Sequence, residues 1–208
     1  MSILFRKGCL QHNRSYGYDA AMKTAVQKRS WMNKTIRTFF DAHSYTEVDT
    51  PMLSPTLIPE ATIENFSTRF ENPFLPSKDL YLVPSPEIYM KQLIAEGMGN
   101  LYQITHCFRN SEQLGNFHNI EFSMLEYYTI DANEQDSIAL TENLLASLLT
   151  DDSPDFLSPP FRRMTVEEAM FTYAKIDLKK HQRWESLAAE ARKLGLSLPK
   201  EPERWEDT

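Results

Sequence analysis

Two strand-like segments joined by a long loop constrain this chain more than any other feature. The first runs from Leu101 to Phe108 and the second from Ile120 to Ile130, with a mostly polar stretch between them. An antiparallel strand pair is therefore predicted. Because side chains alternate between the two faces of a strand, one face of the second strand carries Phe122, Met124, Glu126, Tyr128 and Ile130.

The remaining elements predict an α+β fold, an antiparallel sheet flanked by helices. Seven of the 12 prolines lie between Pro51 and Pro86, which favours extended chain and turns there. Strands are predicted within Tyr45–Leu53, around 66–70 and over 80–83. Helices are predicted from Asp19 to about His43, over 86–96, from Glu134 to about Leu149, from Thr165 to about Lys175 and over 183–194. Ser85 is the predicted N-cap of the helix over 86–96, Thr165 and Glu168 form a predicted capping box, and Gly195 is the predicted stop of the last helix.

Helical periodicity assigns a buried face to two of these helices. In the first helix the apolar positions are Met22, Val26, Ile36, Phe39 and Phe40. In the helix that starts at Glu134 they are Ile138, Leu145, Leu148 and Leu149, with Leu144 at the margin. Residues 1–150 are predicted to form the core, and 151–208 to form a linker and a partial helical insertion.

Composition excludes several classes of protein. With 208 residues the chain can bury a core without disulfides, and its two cysteines and five histidines show no zinc-ligand spacing, so no metal site is predicted. No apolar run is long enough to span a membrane, and a cytoplasmic location is expected. The net charge of −7 disfavours a module that mainly binds nucleic acid.

The strand pair also carries a set of residues suited to bind a nucleotide and an amine. An arginine supplies a planar fork for phosphate, and an aromatic ring offers a face for a base. A carboxylate beside a tyrosine suits an ammonium group. Taken singly, Arg109 reads as a surface arginine, Phe122 as core and His118 as a loop residue. Glu126 is harder to explain structurally, because an unpaired carboxylate is costly among apolar neighbours.

The residues resemble a known family. Phe108-Arg109-Asn110 followed by Glu112, and then the segment His118–Tyr128, resemble motif 2 of class II aminoacyl-tRNA synthetases in its lysyl form. The helix, strand and proline that end at Pro51 resemble motif 1, and Ser85–Lys91 resembles the lysyl segment after it. Within the family the chain is most similar to the short lysyl-tRNA synthetase paralogues that ligate lysine or β-lysine onto a lysine of elongation factor P.

The resemblance implies activation of lysine or β-lysine by ATP with Mg²⁺, elongation factor P as the acceptor, and a homodimer formed through motif 1. No anticodon-binding domain fits before the first helix, so tRNA is not the expected acceptor. Arg109 is the implied catalytic residue, at the α-phosphate. The implied ATP residues are Arg109, Glu112, His118, Asn119 and Phe122, and the implied lysine residues are Glu87, Glu126 and Tyr128.

Two departures from the family pattern leave alternatives open. Between Asn110 and His118 the chain has one residue more than the pattern, so the acidic position that reads adenine is either Glu112 or is lost to Ser111. Motif 3, with its glycine-rich strand and arginine, is not found, so a C-terminally truncated catalytic domain is expected. A non-catalytic paralogue that keeps the dimer interface, or a fragment of a lysyl-tRNA synthetase, are the alternatives.

Overall fold

The computed structural model describes residues 2–5, 20–58, 63–111, 114–115, 118–151 and 153–198, with side chains of the first helix described from residue 24 onward. The chain divides into two compact units, Met1–Pro159 and Pro160–Thr208. Both helices and sheets are present, which confirms the predicted α+β class. Within the described residues, no helix has the length and apolar character needed to cross a membrane.

The first unit contains a four-stranded sheet in the order β1-β7-β6-β2. Its strands are β1 (Ser2–Phe5), β2 (Thr46–Glu47), β6 (Leu101–Phe108) and β7 (Glu121–Tyr128). β6 and β7 pair antiparallel along their full lengths, which confirms the predicted strand pair. β2 lies parallel to β6, so the sheet is mixed rather than wholly antiparallel.

A second, three-stranded sheet has the order β3-β5-β4 and is antiparallel. Its strands are β3 (Leu53–Ser54), β4 (Ser67–Asn72) and β5 (Leu75–Leu82). The strand predicted within Tyr45–Leu53 is present as the short β2, which ends before Pro51. β3 begins after this proline and belongs to the other sheet. β5 also begins five residues before the predicted strand at 80–83, in a polar, exposed stretch that carries no hydrophobic alternation.

One face of the four-stranded sheet is covered by α1 (Ala20–Ala42) and α3 (Glu134–Ser147). The rings of Phe40 and Tyr102 stack with their centroids 4.5 Å apart. The core on this face consists of Ile36, Phe39, Phe40, Tyr45, Tyr102, Leu125, Tyr127 and Leu144. Since Leu125 and Tyr127 point toward the helices, the alternate residues of β7 occupy the opposite face of the sheet, as the period of two predicted.

Two predicted helix faces need correction. Val26 of α1 is 54% exposed, and the buried side chains described for this helix, from residue 24 onward, lie in its C-terminal half. The side chain of Met22 lies outside the described part. In α3 the residue predicted at the margin, Leu144, is buried, whereas Ile138 and Leu145 are partly exposed. Burial therefore follows the contact with α1 and the sheet rather than the centre of the apolar stripe.

The second unit contains α4 (Val166–Ala169), a following π turn (Met170–Ala174) and α5 (Trp184–Lys193). The predicted capping box is present: Thr165 Oγ1 accepts from the backbone N–H of Glu168, and Glu168 Oε2 accepts from that of Thr165. The predicted stop after α5 is also confirmed, because Gly195 adopts a φ of 80°.

Candidate active site

The face of β6 and β7 opposite α1 holds an enclosed carboxylate. Glu126 in β7 is only 1% exposed. The Ser85 hydroxyl donates to its Oε2 at 2.9 Å, and the Tyr128 hydroxyl donates to its Oε1 at 2.6 Å. Both donors are neutral, so they orient the carboxylate without cancelling its charge. The arrangement suits a cation with N–H donors.

Ser85 reaches this carboxylate because of how the chain leaves β5. The carbonyl of Val83 accepts from the N–H of Phe108 at 3.0 Å, so the segment after β5 runs beside the end of β6. The helix α2 (Glu87–Ala95) then begins, and Ser85 Oγ also accepts from the N–H of Glu87 at 3.1 Å. Pro86 is the N-cap position, one residue later than predicted. The Ser85 hydroxyl therefore bonds both the first turn of α2 and the Glu126 carboxylate. The sequence indicated only its place at the helix start.

A buried amide lies directly across from the carboxylate. Gln103 of β6 pairs in register with Glu126 and is 2% exposed. Thr50 donates from Oγ1 to Gln103 Oε1 at 2.9 Å. Thr50 is placed there because the N–H of Val48 bonds to the carbonyl of Tyr102, which extends the path of β2 alongside β6. Sequence reasoning missed Gln103 and Thr50, although the strand-pair register is the signal that could have found Gln103.

Burial and the negative charges at this site raise the pKa of neighbouring acids. Burial, followed by the hydrogen bond to Glu126 and the charges of Glu126 and Glu87, raises the pKa of the Tyr128 phenol well above its usual range. Burial and the Glu126 charge also raise the pKa of the Cys107 thiol to about 12, with Arg109 acting in the opposite direction. Tyr128 therefore stays protonated and remains a donor to the carboxylate.

Glu87 lies in the first turn of α2, close enough to contribute to the Tyr128 pKa, as the predicted lysine pocket requires. Its carboxylate forms an ion pair with Lys91, one helical turn later. That pair raises the pKa of Lys91, first through the hydrogen bond to Glu87 and with a smaller contribution from Glu126. The structure thus brings Glu87, Glu126 and Tyr128 into one negatively charged region.

Arg109 and Phe122 meet at the other end of the same face. The guanidinium carbon of Arg109 lies 5.3 Å from the centroid of the Phe122 ring. Arg109 follows β6 directly, and its N–H bonds to the carbonyl of Ile120 at 3.0 Å, so the strand pair extends to this point. Phe122 and Glu126 are four residues apart on one face of β7, roughly 13 Å at strand geometry. The residues predicted to bind phosphate and the substrate amine therefore lie along the same face of the strand pair.

The loop that joins the strands carries three of the residues that the resemblance implies for ATP, namely Glu112, His118 and Asn119. His118 and Asn119 form hydrogen bonds within this loop: Gly115 N–H donates to the His118 carbonyl, and Asn119 Oδ1 accepts from the N–H of Ile120. Glu112 lies outside the described residues.

Ser111 binds a carboxylate that the sequence did not indicate. Its hydroxyl donates to Glu64 Oε2 at 2.7 Å, and the neighbouring N–H of Asn110 donates to the Glu64 carbonyl at 2.8 Å. Ser111 has a φ of 55°, a left-handed conformation that is uncommon for serine. A carboxylate from another segment thus lies beside the position where the family pattern has an acidic residue.

Residues 11–206 match the family model described as tRNA synthetases class II (D, K and N). The chain belongs to this class II synthetase family. The match includes both units and all the site residues described above, so the sequence resemblance to motifs 1 and 2 is confirmed at the level of the family.

Several relatives of this class II chain share one name, elongation factor P–(R)-β-lysine ligase. The protein of that name from Vibrio atlanticus is 33% identical over 91% of this chain and 56% of its own length. The Photobacterium profundum protein is 33% identical over 88% and 54%, and the Hamiltonella defensa protein is 40% identical over 63% and 40%. The chain spans about half the length of the curated relatives it matches.

Proposed function

We propose that this chain is part of an ATP-dependent ligase that activates lysine or β-lysine as an aminoacyl-adenylate and transfers the acyl group to a lysine of elongation factor P. The buried Glu126 carboxylate, with hydroxyl donors from Ser85 and Tyr128, carries the proposal. A substrate ammonium beside this carboxylate would form charge-assisted hydrogen bonds in a buried setting. Glu87, nearer the surface, is assigned to the second amino group of the substrate.

The reaction would proceed in two steps. First, a carboxylate oxygen of the amino acid attacks the α-phosphorus of ATP, and pyrophosphate leaves with the electron pair of the broken P–O bond. The amine of the acceptor lysine then attacks the acyl carbon, AMP leaves, and the amine loses a proton. Arg109 is assigned to the α-phosphate, since a permanent charge there stabilises the charge that builds up during the attack.

Phe122, His118 and Asn119 are assigned to the nucleotide. The contact between Arg109 and the Phe122 ring supports this, since it brings a phosphate ligand and an aromatic face together. Ser111 and Glu64 are assigned to adenine. Ser111 holds the Glu64 carboxylate near the position where the family pattern has an acidic residue, and this carboxylate can accept from the exocyclic amine of adenine. Glu112 remains the alternative source of the carboxylate that accepts from adenine.

Magnesium belongs to this chemistry as the counter-ion of ATP. In the described ranges no group of three or more His, Cys, Asp or Glu side chains is placed to hold a metal ion. The described residues therefore offer no ready site, and no proposed step depends on a metal held by protein side chains.

A homodimer through the motif 1 region is also proposed. This part of the chain leaves large apolar side chains exposed: Val26, Trp31, Met52 and Leu53 are each between 44% and 54% accessible. Such residues are commonly covered by a partner surface. The acceptor is proposed to be elongation factor P rather than tRNA, in line with the names of the relatives and the net charge of −7.

The experiment compares Glu126→Gln with Glu121→Gln, the same substitution on the opposite face of the same strand. Lysine and β-lysine should stabilise the wild-type and Glu121→Gln chains against heat, and should fail to stabilise Glu126→Gln. Equal stabilisation of all three would refute the amine pocket. Pyrophosphate exchange dependent on lysine would show activation by this chain.

A second candidate is a non-catalytic paralogue that keeps the amine and nucleotide sites. Binding of lysine and ATP without pyrophosphate exchange would support it.

A further inference from the structure

We infer that Gln103 is a specificity-determining residue of the amine pocket, because its side-chain amide provides the substrate ammonium with an acceptor beside Glu126 and Tyr128. The inference rests on the proposed function, since it concerns the same pocket. It adds a requirement that the ligand be a primary ammonium with three N–H donors.

The position of Gln103 follows from the strand register. Gln103 and Glu126 are direct partners across β6 and β7, so their side chains leave the sheet on the same face. Directly opposed residues have Cβ atoms about 5 Å apart, within reach of a shared ligand. With 2% and 1% of their surfaces exposed, both side chains face the protein interior.

The amide is only half satisfied. Its Oε1 accepts from Thr50, but its Nε2 has no hydrogen-bond partner in the part of the chain that the structure describes. Leaving a buried donor unpaired destabilises a fold, so such groups are uncommon and call for an explanation. A site built to bind a ligand explains it, because the ligand then completes the hydrogen bonding.

An ammonium can complete this hydrogen bonding through a half-turn of the amide. The Thr50 hydroxyl both donates and accepts, so Nε2 can donate to it as readily as Oε1 now accepts from it. The oxygen and nitrogen of an amide have almost the same size, so the turn displaces no neighbour. After it, Oε1 faces the pocket and accepts from the ammonium, and the unpaired Nε2 is satisfied by Thr50.

This arrangement gives the pocket its selectivity. The three N–H donors of a primary ammonium meet the Glu126 carboxylate, the Tyr128 phenol oxygen and the Gln103 amide oxygen. Tyr128 can accept because its own hydrogen is donated to Glu126. Nε,Nε-dimethyl-lysine keeps the charge but has a single N–H, so it leaves two acceptors unmet. The pocket should therefore bind lysine in preference to its dimethylated form.

The test uses Gln103→Met, which keeps the length of the side chain but removes both polar atoms, and Gln103→Glu, which keeps an acceptor. Gln92→Met on the exposed side of α2 is the control. Calorimetric titration with lysine should show at least a tenfold loss of affinity in Gln103→Met, with wild-type affinity or better in Gln103→Glu and in the control. The preference for lysine over dimethyl-lysine should shrink at least threefold in Gln103→Met.

A purely structural role gives a different result. If the amide only supports the fold, both Gln103 variants should lower the melting temperature and leave the ligand preference unchanged, which would overturn the inference while the pocket at Glu126 stands. If Gln103→Met fails to fold, the double variant Gln103→Met with Thr50→Val is titrated instead. It removes both hydrogen-bonding side chains, so neither is left unpaired in the interior. Failure of the wild-type chain to bind lysine would overturn the proposed function and the inference with it.

Discussion

The link between Ser85 and Glu126 allows a quantitative prediction for Ser85→Ala. The substitution removes a hydrogen bond to a buried carboxylate, about 1.5–3 kcal/mol, and the acceptor for the N–H of Glu87 at the start of α2, about 1 kcal/mol. The free energy of unfolding should fall by about 2.5–4 kcal/mol. Urea unfolding followed by circular dichroism measures this as a lower midpoint at an unchanged slope.

A double-mutant cycle separates the two contributions. With Glu126→Gln already present, Ser85→Ala should cost only about 1.5–2.5 kcal/mol, because the hydrogen bond then has a neutral acceptor, worth about 0.5–1.5 kcal/mol. The exposed control Ser147→Ala should change stability by less than about 0.5 kcal/mol. Equal costs of Ser85→Ala in both backgrounds would contradict the reasoning, since the hydroxyl would then act only through the N–H of Glu87.

Three further predictions address other parts of the chain. The unfolded chain releases the Cys107 thiol proton near the ordinary pKa of 9.0, whereas the folded chain keeps it up to about pH 12. The free energy of unfolding should therefore fall between pH 9 and about 12. Urea titrations at successive pH values measure this fall, and Cys107→Ala should make it smaller. Arg109→Ala should weaken ATP binding at least tenfold by calorimetry with the circular dichroism spectrum unchanged; equal affinity would remove Arg109 from the phosphate site. Thr165→Ala should destabilise the second unit by about 1 kcal/mol in thermal unfolding, and Thr165→Ser should restore it.

The sequence predicted the part of the site that depends on local alternation. Phe122, Glu126 and Tyr128 could be placed on one strand face because a period of two requires nothing beyond the strand itself, and the register of β6 and β7 confirms that geometry. The capping box at Thr165 and the stop at Gly195 are likewise local, and both were predicted correctly.

The rest of the site depends on contacts between distant segments. Thr50 reaches Gln103, and Glu64 reaches Ser111, only after separate segments have folded together, so no spacing in the sequence reveals them. The parallel pairing of β2 was missed for the same reason. In β5 only the end of the strand was predicted, because the exposed residues before Leu80 show no hydrophobic alternation. Backbone pairing with β4, rather than a buried face, defines that part of the strand.

The pairing of β1 with the outer edge of β7 affects the order in which the site can form. Ser2 faces Glu126 across this ladder, and Phe5 faces Ser123. During synthesis β1 leaves the ribosome long before its partner strand, because more than a hundred residues separate β1 from β7 in the sequence. Pairing over such a distance is slow, because the chain entropy of closing the loop is lost first. The strand that carries the pocket carboxylate is thus flanked on both sides only late in folding, and until then its outer edge is open to other chains.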